Sequence, residues 1–285
     1  MMTDTSKIKA TNLGPCYARS FSDIPLSREL SKAVGADRAY QLFWKGVSPV
    51  EIVATMMEAR HKAIDVLVKR SDIKQIVELA AGWTPRGMTM TEDPDVNYVE
   101  TDQDLAEIEQ KKAIARKLLG KERPNLHTVR FNAVTGEGLE EVKKCLKPGP
   151  VCVIHEGLFR YLSHDLKAKT VRIIHDLIEE HGGVYITPDV HVQVENADYN
   201  QLTNMKKVNE VHSRMTGTDI EKNHFKSNAE AKRFFEKLGF KAEIYTWGEL
   251  VPELSCMKNP ALNPKILSSA WESNKRRTIW ELTLK

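Results

Sequence analysis

Apolar and polar positions follow two rhythms along this chain. From Pro25 to about Lys69 the rhythm is helical: Val53, Met56, Met57, Ile64, Val66, Leu67 and Val68 recur at helix-like spacings with charges between them. Ser48–Pro49 ahead of Val50 and Glu51 reads as a cap followed by proline in the first helical position. Residues 1–20 are polar and read as loosely ordered. After residue 70 short apolar runs take over, at 74–80 (KQIVELA), 95–101 (DVNYVET), 125–131 (NLHTVRF), 151–155 (VCVIH) and 184–187. Helical segments at 103–119, 139–146 and 167–181 separate them, and Gly120, Pro148–Gly149–Pro150 and Gly182–Gly183 supply the stops.

Strands alternating with helices of this length predict βαβ units and a parallel sheet. The end of the chain differs. A helix at 228–238 leads to a strand at 241–246, a proline-rich loop follows, and 278–284 (TIWELTL) alternates apolar and polar. That pair reads as a late hairpin with one antiparallel strand. Residues 189–227 are polar, dotted with His and Asn, and too long for a plain connection, so they read as an insert.

Composition narrows the class. Of 285 residues, 41% are hydrophobic and 28% charged, which excludes a disordered or collagen-like chain. The net charge of +3 is too near neutral to imply a polyanion, so no nucleic-acid partner is expected. Four cysteines with no CxxC pair read as thiols in a reducing compartment. The first 20 residues hold no apolar h-region, and no apolar run approaches a bilayer span. The expectation is a cytoplasmic protein with no membrane partner. No HExxH or other metal spacing is present, so no metal is expected.

In open α/β sheets ligands bind beyond the carboxyl ends of the strands. After the first strand comes Glu78-Leu79-Ala80-Ala81-Gly82, whose small residues let backbone approach a ligand closely. Glu100 and Asp102 follow Gly82 by 18 and 20 residues, the offset of a ribose-binding carboxylate. A tight turn followed by two solvated acids is the plain alternative. The full G-x-G-x-x-G is missing, which argues against a pyrophosphate and for a nucleoside without phosphates.

The helix with MEARHKAID, the turn VELAAGWTPRG, the strand end YVETD and the segment VIHEGLFRYL stand in the order seen in the leucine carboxyl methyltransferase family, which the chain resembles over about residues 40–190. That family also contains polyketide O-methyltransferases. FFEKLGFKAEIY followed by TIWELTL is similar to the last strands of class I methyltransferases generally. The resemblance implies a Rossmann-like class I methyltransferase fold. Its seven-stranded, mostly parallel sheet would carry a late antiparallel strand, with residues 1–70 as an N-terminal helical cover and 71–285 as the core. It implies S-adenosylmethionine (SAM) as cofactor and methyl transfer by in-line displacement to an oxygen or carboxylate of a small-molecule acceptor.

Residue by residue, the resemblance implies that Arg60 holds the SAM carboxylate. Glu78, Ala80 and Gly82 form the turn past the methionine moiety, and Asp102 with Glu100 binds the ribose. Asn132 and Ala133 lie at the adenine, and Glu156 lies on the sulfonium side. Two positions depart from the pattern. Ala80 replaces a common glycine, which a negative φ would tolerate, and Asn132 replaces aspartate but keeps an acceptor for the adenine amino group. SAM carries a carboxylate, a diol, an adenine and a sulfonium, and one arginine, a few acids and an amide are a minimal matching set.

Because the sulfonium is already a good leaving group, a general base is needed only for a protonated acceptor. Candidates near the pocket are His155, Tyr161 and Arg160. His155 reads as core or supporting, since adjacent strand residues point to opposite faces. Tyr161 reads as packing, and Arg160 as a solvated residue or a clamp for an acidic substrate. His191, Tyr199, His212 and His224 fall in or near the insert. Ser163-His164-Asp165 is no triad, because consecutive residues cannot converge that way. Two alternatives stay open. One is a SAM- or nucleoside-binding module without methyl transfer. The other is methylation of a protein C-terminal carboxylate or a modified RNA base.

Overall fold

The computed structural model describes residues 9–44, 48–192, 210, 213, 214 and 216–285. Seven strands form one sheet: β1 (Gln75–Leu79), β2 (Asn97–Asp102), β3 (Leu126–Arg130), β4 (Val151–His155), β5 (Gly183–Thr187), β6 (Phe240–Thr246) and β7 (Thr278–Leu284). Their order across the sheet is β3-β2-β1-β4-β5-β7-β6. Strands β1 to β5 pair in parallel, and β7 runs antiparallel to both β5 and β6. The late antiparallel strand is therefore present, but not in a hairpin. Residues 247–277 separate β6 from β7 and carry two α-helices, Trp247–Leu250 and Pro264–Asn274, with a 3-10 turn at Ser255–Lys258 between them. In the second of these, Asn263 accepts from Lys265 N and Ile266 N, and proline occupies the first turn.

The central strands β1, β2 and β4 are buried on both faces, with successive side chains alternating between them. Val77, Val99, Val151, Val153, Tyr185 and Trp280 face one side. They meet Val171, Ile174, Leu177 and Ile178 of the helix His164–His181, and Phe235 of Asn228–Lys237. Ile76, Tyr98, Cys152, Ile154, Ile186 and Ile279 face the other. There they meet Ala59, Ala63, Ile64 and Leu67 of helix Val50–Ser71, with Trp247, Leu267 and Trp271. Gly183 opens β5 at φ 122, and a Cβ there would stand 1.9 Å from the Val151 carbonyl oxygen. Only glycine lets β5 close on β4 at that point.

In the N-terminal part we label α1 (Lys9–Arg19), α2 (Ser27–Ala33), α3 (Ala36–Ala39) and α4 (Val50–Ser71), and after β1 the short α5 (Arg86–Met90). The expectation of a loose start is corrected for residues 9–19. Cys16 and Ala18 are buried, and Cys16 packs with Leu30, Ala36, Trp83, Met88 and Ala115 over the carboxyl edge of β1 and β2. The start of α4 is corrected too: Pro49 is the N-cap and no side chain caps the helix, so Ser48 lies outside it. Glu51 in its first turn and Lys69 and Arg70 in its last match the helix dipole. The helix after β4 begins at His164, because Ser163 accepts from Leu166 N and caps it. Ser163-His164-Asp165 is thus a helix start. Among the described residues no helix is long and apolar enough to cross a membrane.

Glu58 on α4 is fully buried. It accepts from Ser255 N and Cys256 N at 2.7 and 2.9 Å and from Lys62 Nζ at 2.6 Å, and Lys62 also reaches Asp23 at 2.7 Å. This acid ties the chain after α1 and the loop before β7 to α4. Glu58→Ala leaves the Ser255 and Cys256 N–H groups without their acceptor and Lys62 with only Asp23, and should cost about 3 kcal/mol. Glu58→Gln should cost clearly less. Urea unfolding of the two variants checks the order.

Candidate functional site

The carboxyl ends of β1, β2 and β4 meet under α1. A cleft lies there, lined by Ala81, Gly82, Trp83, Thr101 and Asp102 with Lys111 and Thr128. Gly82 has φ 48, and a Cβ would stand 3.4 Å from Asn12 of α1, so the turn passes close beneath that helix. Ala80 has φ 50. The expected negative φ is corrected: alanine here occupies the left-handed region, at a cost of about 1 kcal/mol.

Beside the cleft lies a buried charge network. Glu156 follows β4, and its side chain is 7% exposed. Its Oε1 accepts from Arg60 at 2.8 Å and from Arg19 at 3.0 Å, and its Oε2 accepts from Arg86 at 3.1 Å. Arg19 also donates to the Trp83 carbonyl at 3.2 Å. Arg86 is fully buried, pairs with Glu78, and reaches Asp65 at 2.8 Å and His61 Nδ1 at 3.0 Å. A guanidinium only donates, so His61 Nδ1 accepts and its proton sits on Nε2, 3.5 Å from Asp65. Burial and the nearby Arg86 charge push His61 well below the usual histidine range, so it is neutral. Burial alone would raise Glu156. Arg60, Arg19 and Arg86 outweigh it and hold the carboxyl well below the usual range.

The structure brings Arg60 and Glu156 together as one pair. Glu78 does not face a ligand: it is 1% exposed and taken by Arg86 and by the Tyr98 hydroxyl at 2.7 Å. Burial raises its pKa despite the arginine. Glu100 is likewise buried, paired with Lys111 at 2.8 Å and accepting from Thr128 at 2.9 Å. It lines the base of the cleft and is not a solvated acid. Asp102 accepts from Gln103 N at 2.7 Å and Asp104 N at 3.3 Å, and burial raises its pKa.

Asn132 departs from expectation. Its Oδ1 accepts from Val134 N and Thr135 N at 2.9 and 3.1 Å, and its Nδ2 donates to Gln103 Oε1 at 3.1 Å. Both lone pairs of the oxygen offered to adenine are used within the loop. Ala133 beside it is buried in the core.

His155 packs on the opposite face from the network, as its strand parity requires. Its Nδ1 lies 3.0 Å from Asp189 and its Nε2 meets the Tyr185 hydroxyl. Asp189 also accepts from Gly157 N, Leu158 N and Phe159 N at 2.8, 2.7 and 3.2 Å. His155 thus positions the loop that carries Glu156. Tyr161 and Arg160 stand on a one-turn 3-10 helix, Phe159–Tyr161, with the guanidinium carbon 5.7 Å from the ring centre. His191 and His224 face each other, while Tyr199 and His212 lie outside the described residues.

The reading of the sequence missed Arg19, Arg86, His61 and Lys111 as members of this site. Arg19 was hidden in a segment whose Leu13, Cys16 and Tyr17 already stood at helical spacing. Arg86 stands in the quoted turn, eight residues past Glu78, but nothing local says that the two meet.

No protein-family model matches the chain, and no curated protein matches it in sequence. Solved structures do match in shape. The methyltransferase domain of a bacterial Hen1 (CtHen1-C) is similar at TM-score 0.50 and 12% identity, over 79% of this chain and 97% of that one. The plantazolicin methyltransferase BamL is similar at TM-score 0.43 and 11% identity, over 99% of this chain and 98% of that one. With the strand order and the reversed β7, the first likeness defines a Rossmann-like class I methyltransferase fold.

Two outcomes are expected. Ala80→Gly relieves the left-handed strain but adds unfolded-state entropy, for a net stabilisation of about 0.5 kcal/mol in a denaturant titration. Glu156→Gln should lose about 3 kcal/mol at pH 7, because three guanidiniums lose their shared anion. The folded carboxyl lies below its unfolded value of 4.5, so the unfolded chain takes up the proton first and wild-type stability falls as pH drops below that value. The gap between wild type and variant should therefore narrow in unfolding curves taken at successively lower pH.

Proposed function

We propose that the chain is a SAM-dependent methyltransferase acting on an oxygen or carboxylate of a small-molecule acceptor, in the manner of the leucine carboxyl methyltransferase family. The observation that carries this reading is the pairing of Arg60 with Glu156 beside the Gly82–Asp102 cleft. Three motifs far apart in sequence converge at one edge of the sheet. The residues fit the cofactor. Arg60 and Arg19 share one oxygen of Glu156, and each has a buried Nε–H with no partner among the described residues. An amino-acid carboxylate supplies the acceptors these donors lack. Asp102 would hold the ribose diol, and Gly82 gives the close backbone approach the cofactor requires. With Asn132 turned into its loop, backbone at Ala133 is left as the contact for adenine.

When bound, SAM supplies an electrophilic methyl group on a sulfonium. The chain's own part is to align and desolvate the acceptor, with α1, α2 and α3 as a cover excluding water from the edge. His155 takes no proton from an acceptor in this reading: its ring is fully buried between Asp189 and Tyr185. A cytoplasmic setting, without nucleic-acid or membrane partners, goes with a small-molecule acceptor.

SAM or S-adenosylhomocysteine at 100 times its Kd should stabilise the protein by about 2.7 kcal/mol, or roughly 5–10 °C in Tm. Asp102→Ala should remove that shift. An intact protein that shows no shift at millimolar SAM overturns the reading. Binding without any S-adenosylhomocysteine formed over a broad acceptor panel favours the module without methyl transfer.

A further inference from the structure

The sheet ends on β6, which pairs with β7 alone; among the described residues no strand joins its outer side. The two strands run antiparallel in unbroken register from Phe240–Leu284 to Thr246–Thr278. Just past either end, Lys285 N donates to the Gly239 carbonyl at 3.0 Å and Trp247 N to the Arg277 carbonyl at 2.8 Å. Hydrogen-bonded pairs alternate along an antiparallel ladder, so the odd-numbered residues of β6 are the ones bonded to β7. The N–H and C=O groups of Phe240, Ala242 and Ile244 therefore point outward from the sheet. Thr246 N also points outward but is already used, donating to Glu249 Oε2 at 2.6 Å.

Lys241, Glu243 and Ile244 on this strand are exposed. Lys241 and Glu243 share one face by parity. Among the described residues neither has an ion-pair partner, and Glu243 accepts only from the Tyr245 hydroxyl at 2.7 Å. Glu243 also stands directly across from Glu281 of β7, a like-charge pair that a cation from outside would relieve. Consider a second copy related by a two-fold axis perpendicular to the sheet, so that its β6 lies antiparallel to this one. An axis through Lys241 sets lysine against lysine, and one through Glu243 sets acid against acid. An axis through Ile244 sets Ala242 against Thr246, whose N–H is spent. An axis through Ala242 sets Ala242 against itself, Phe240 against Ile244, and Lys241 against Glu243 on both sides. In that register the bonded pairs fall on the residues with free groups, and each lysine meets its acid at a non-bonded position, where Cα atoms come within about 4.5 Å.

We propose that β6 is the interface of a homodimer, in which two copies join edge to edge about Ala242 into one continuous sheet. A lysine on an edge strand ordinarily discourages pairing, because it meets an uncharged or like-charged neighbour. Here the charge pattern selects one register and opposes the adjacent ones, and small side chains meet at the axis. The interface does not rest on the methyl-transfer reading and uses no residue of the Glu156 network.

The test is sedimentation equilibrium of the full chain. A contact limited to one strand edge gives weak association, so the wild type should dimerise with a Kd of about 1–100 µM. Lys241→Glu and Glu243→Lys each set like charges opposite one another, and each should weaken the homodimer at least about tenfold. Mixed in equal amounts, the two variants again set acid against lysine on both sides, and their heterodimer should form within about threefold of the wild-type affinity. Ala242→Pro removes an outward N–H and none that serves β7, so it should abolish the dimer while the far-UV circular dichroism stays that of the wild type. A wild type that remains monomeric up to about 200 µM overturns the proposal. So does a dimer that survives either charge reversal or Ala242→Pro, or a mixture that associates no better than its two components.

Discussion

The edge of this sheet is organised by one carboxylate in a dry place. Glu156 cannot be ionised there alone, since an isolated buried carboxylate would take a proton. Three guanidiniums keep it charged, and each comes from a different element: Arg19 from α1, Arg60 from α4 and Arg86 from α5. Their positions are fixed in turn by Trp83, by the packing of α4 on the sheet, and by Glu78 with Asp65. One ionised oxygen pair therefore couples the cover, the sheet and the glycine turn. The Coulomb attraction that offsets desolvation is strong only while water stays out, so the network and the cover over it depend on each other.

Glu156 is held from its other side as well. Asp189 receives three consecutive N–H groups of the loop behind it, and His155 and Tyr185 fix that acid from within the core. The loop after β4 is thus clamped through its side chain on one face and through its backbone on the other. The Glu156 carboxylate is therefore held in one place at the sheet edge.

Much of this was legible in the chain. The strand runs from 74–80 to 278–284 match β1 to β7 within one or two residues, because short apolar or alternating runs bounded by turns are local signals. α4 announced itself by an apolar stripe, and the helix His164–His181 by an apolar stripe and a glycine stop. α1 and Pro264–Asn274 did not. Each is stabilised by burying a few residues, such as Cys16 or Leu267 and Trp271, against distant parts of the chain. Local pattern carries little of that information. Ala80 shows the same limit at one residue, since its left-handed φ is set by the turn over β1 and not by alanine's own preference.

By itself the sequence determined the layered α/β plan, a late antiparallel strand and the carboxyl edge of the sheet where the candidate site residues fall. Those follow from periodicities of two and 3.6 residues and from turn chemistry, which are local. The family resemblance added Arg60 and Glu156 to Gly82 and Asp102 on that edge. Only the tertiary structure decided which charges meet. It showed Glu78 consumed by Arg86, Glu100 by Lys111 and the Asn132 oxygen by its own loop, and it brought Arg19 from α1 into the same network. The reason is that electrostatic partnership depends on distance and dielectric, and both are made by packing residues that lie up to 137 positions apart in the chain.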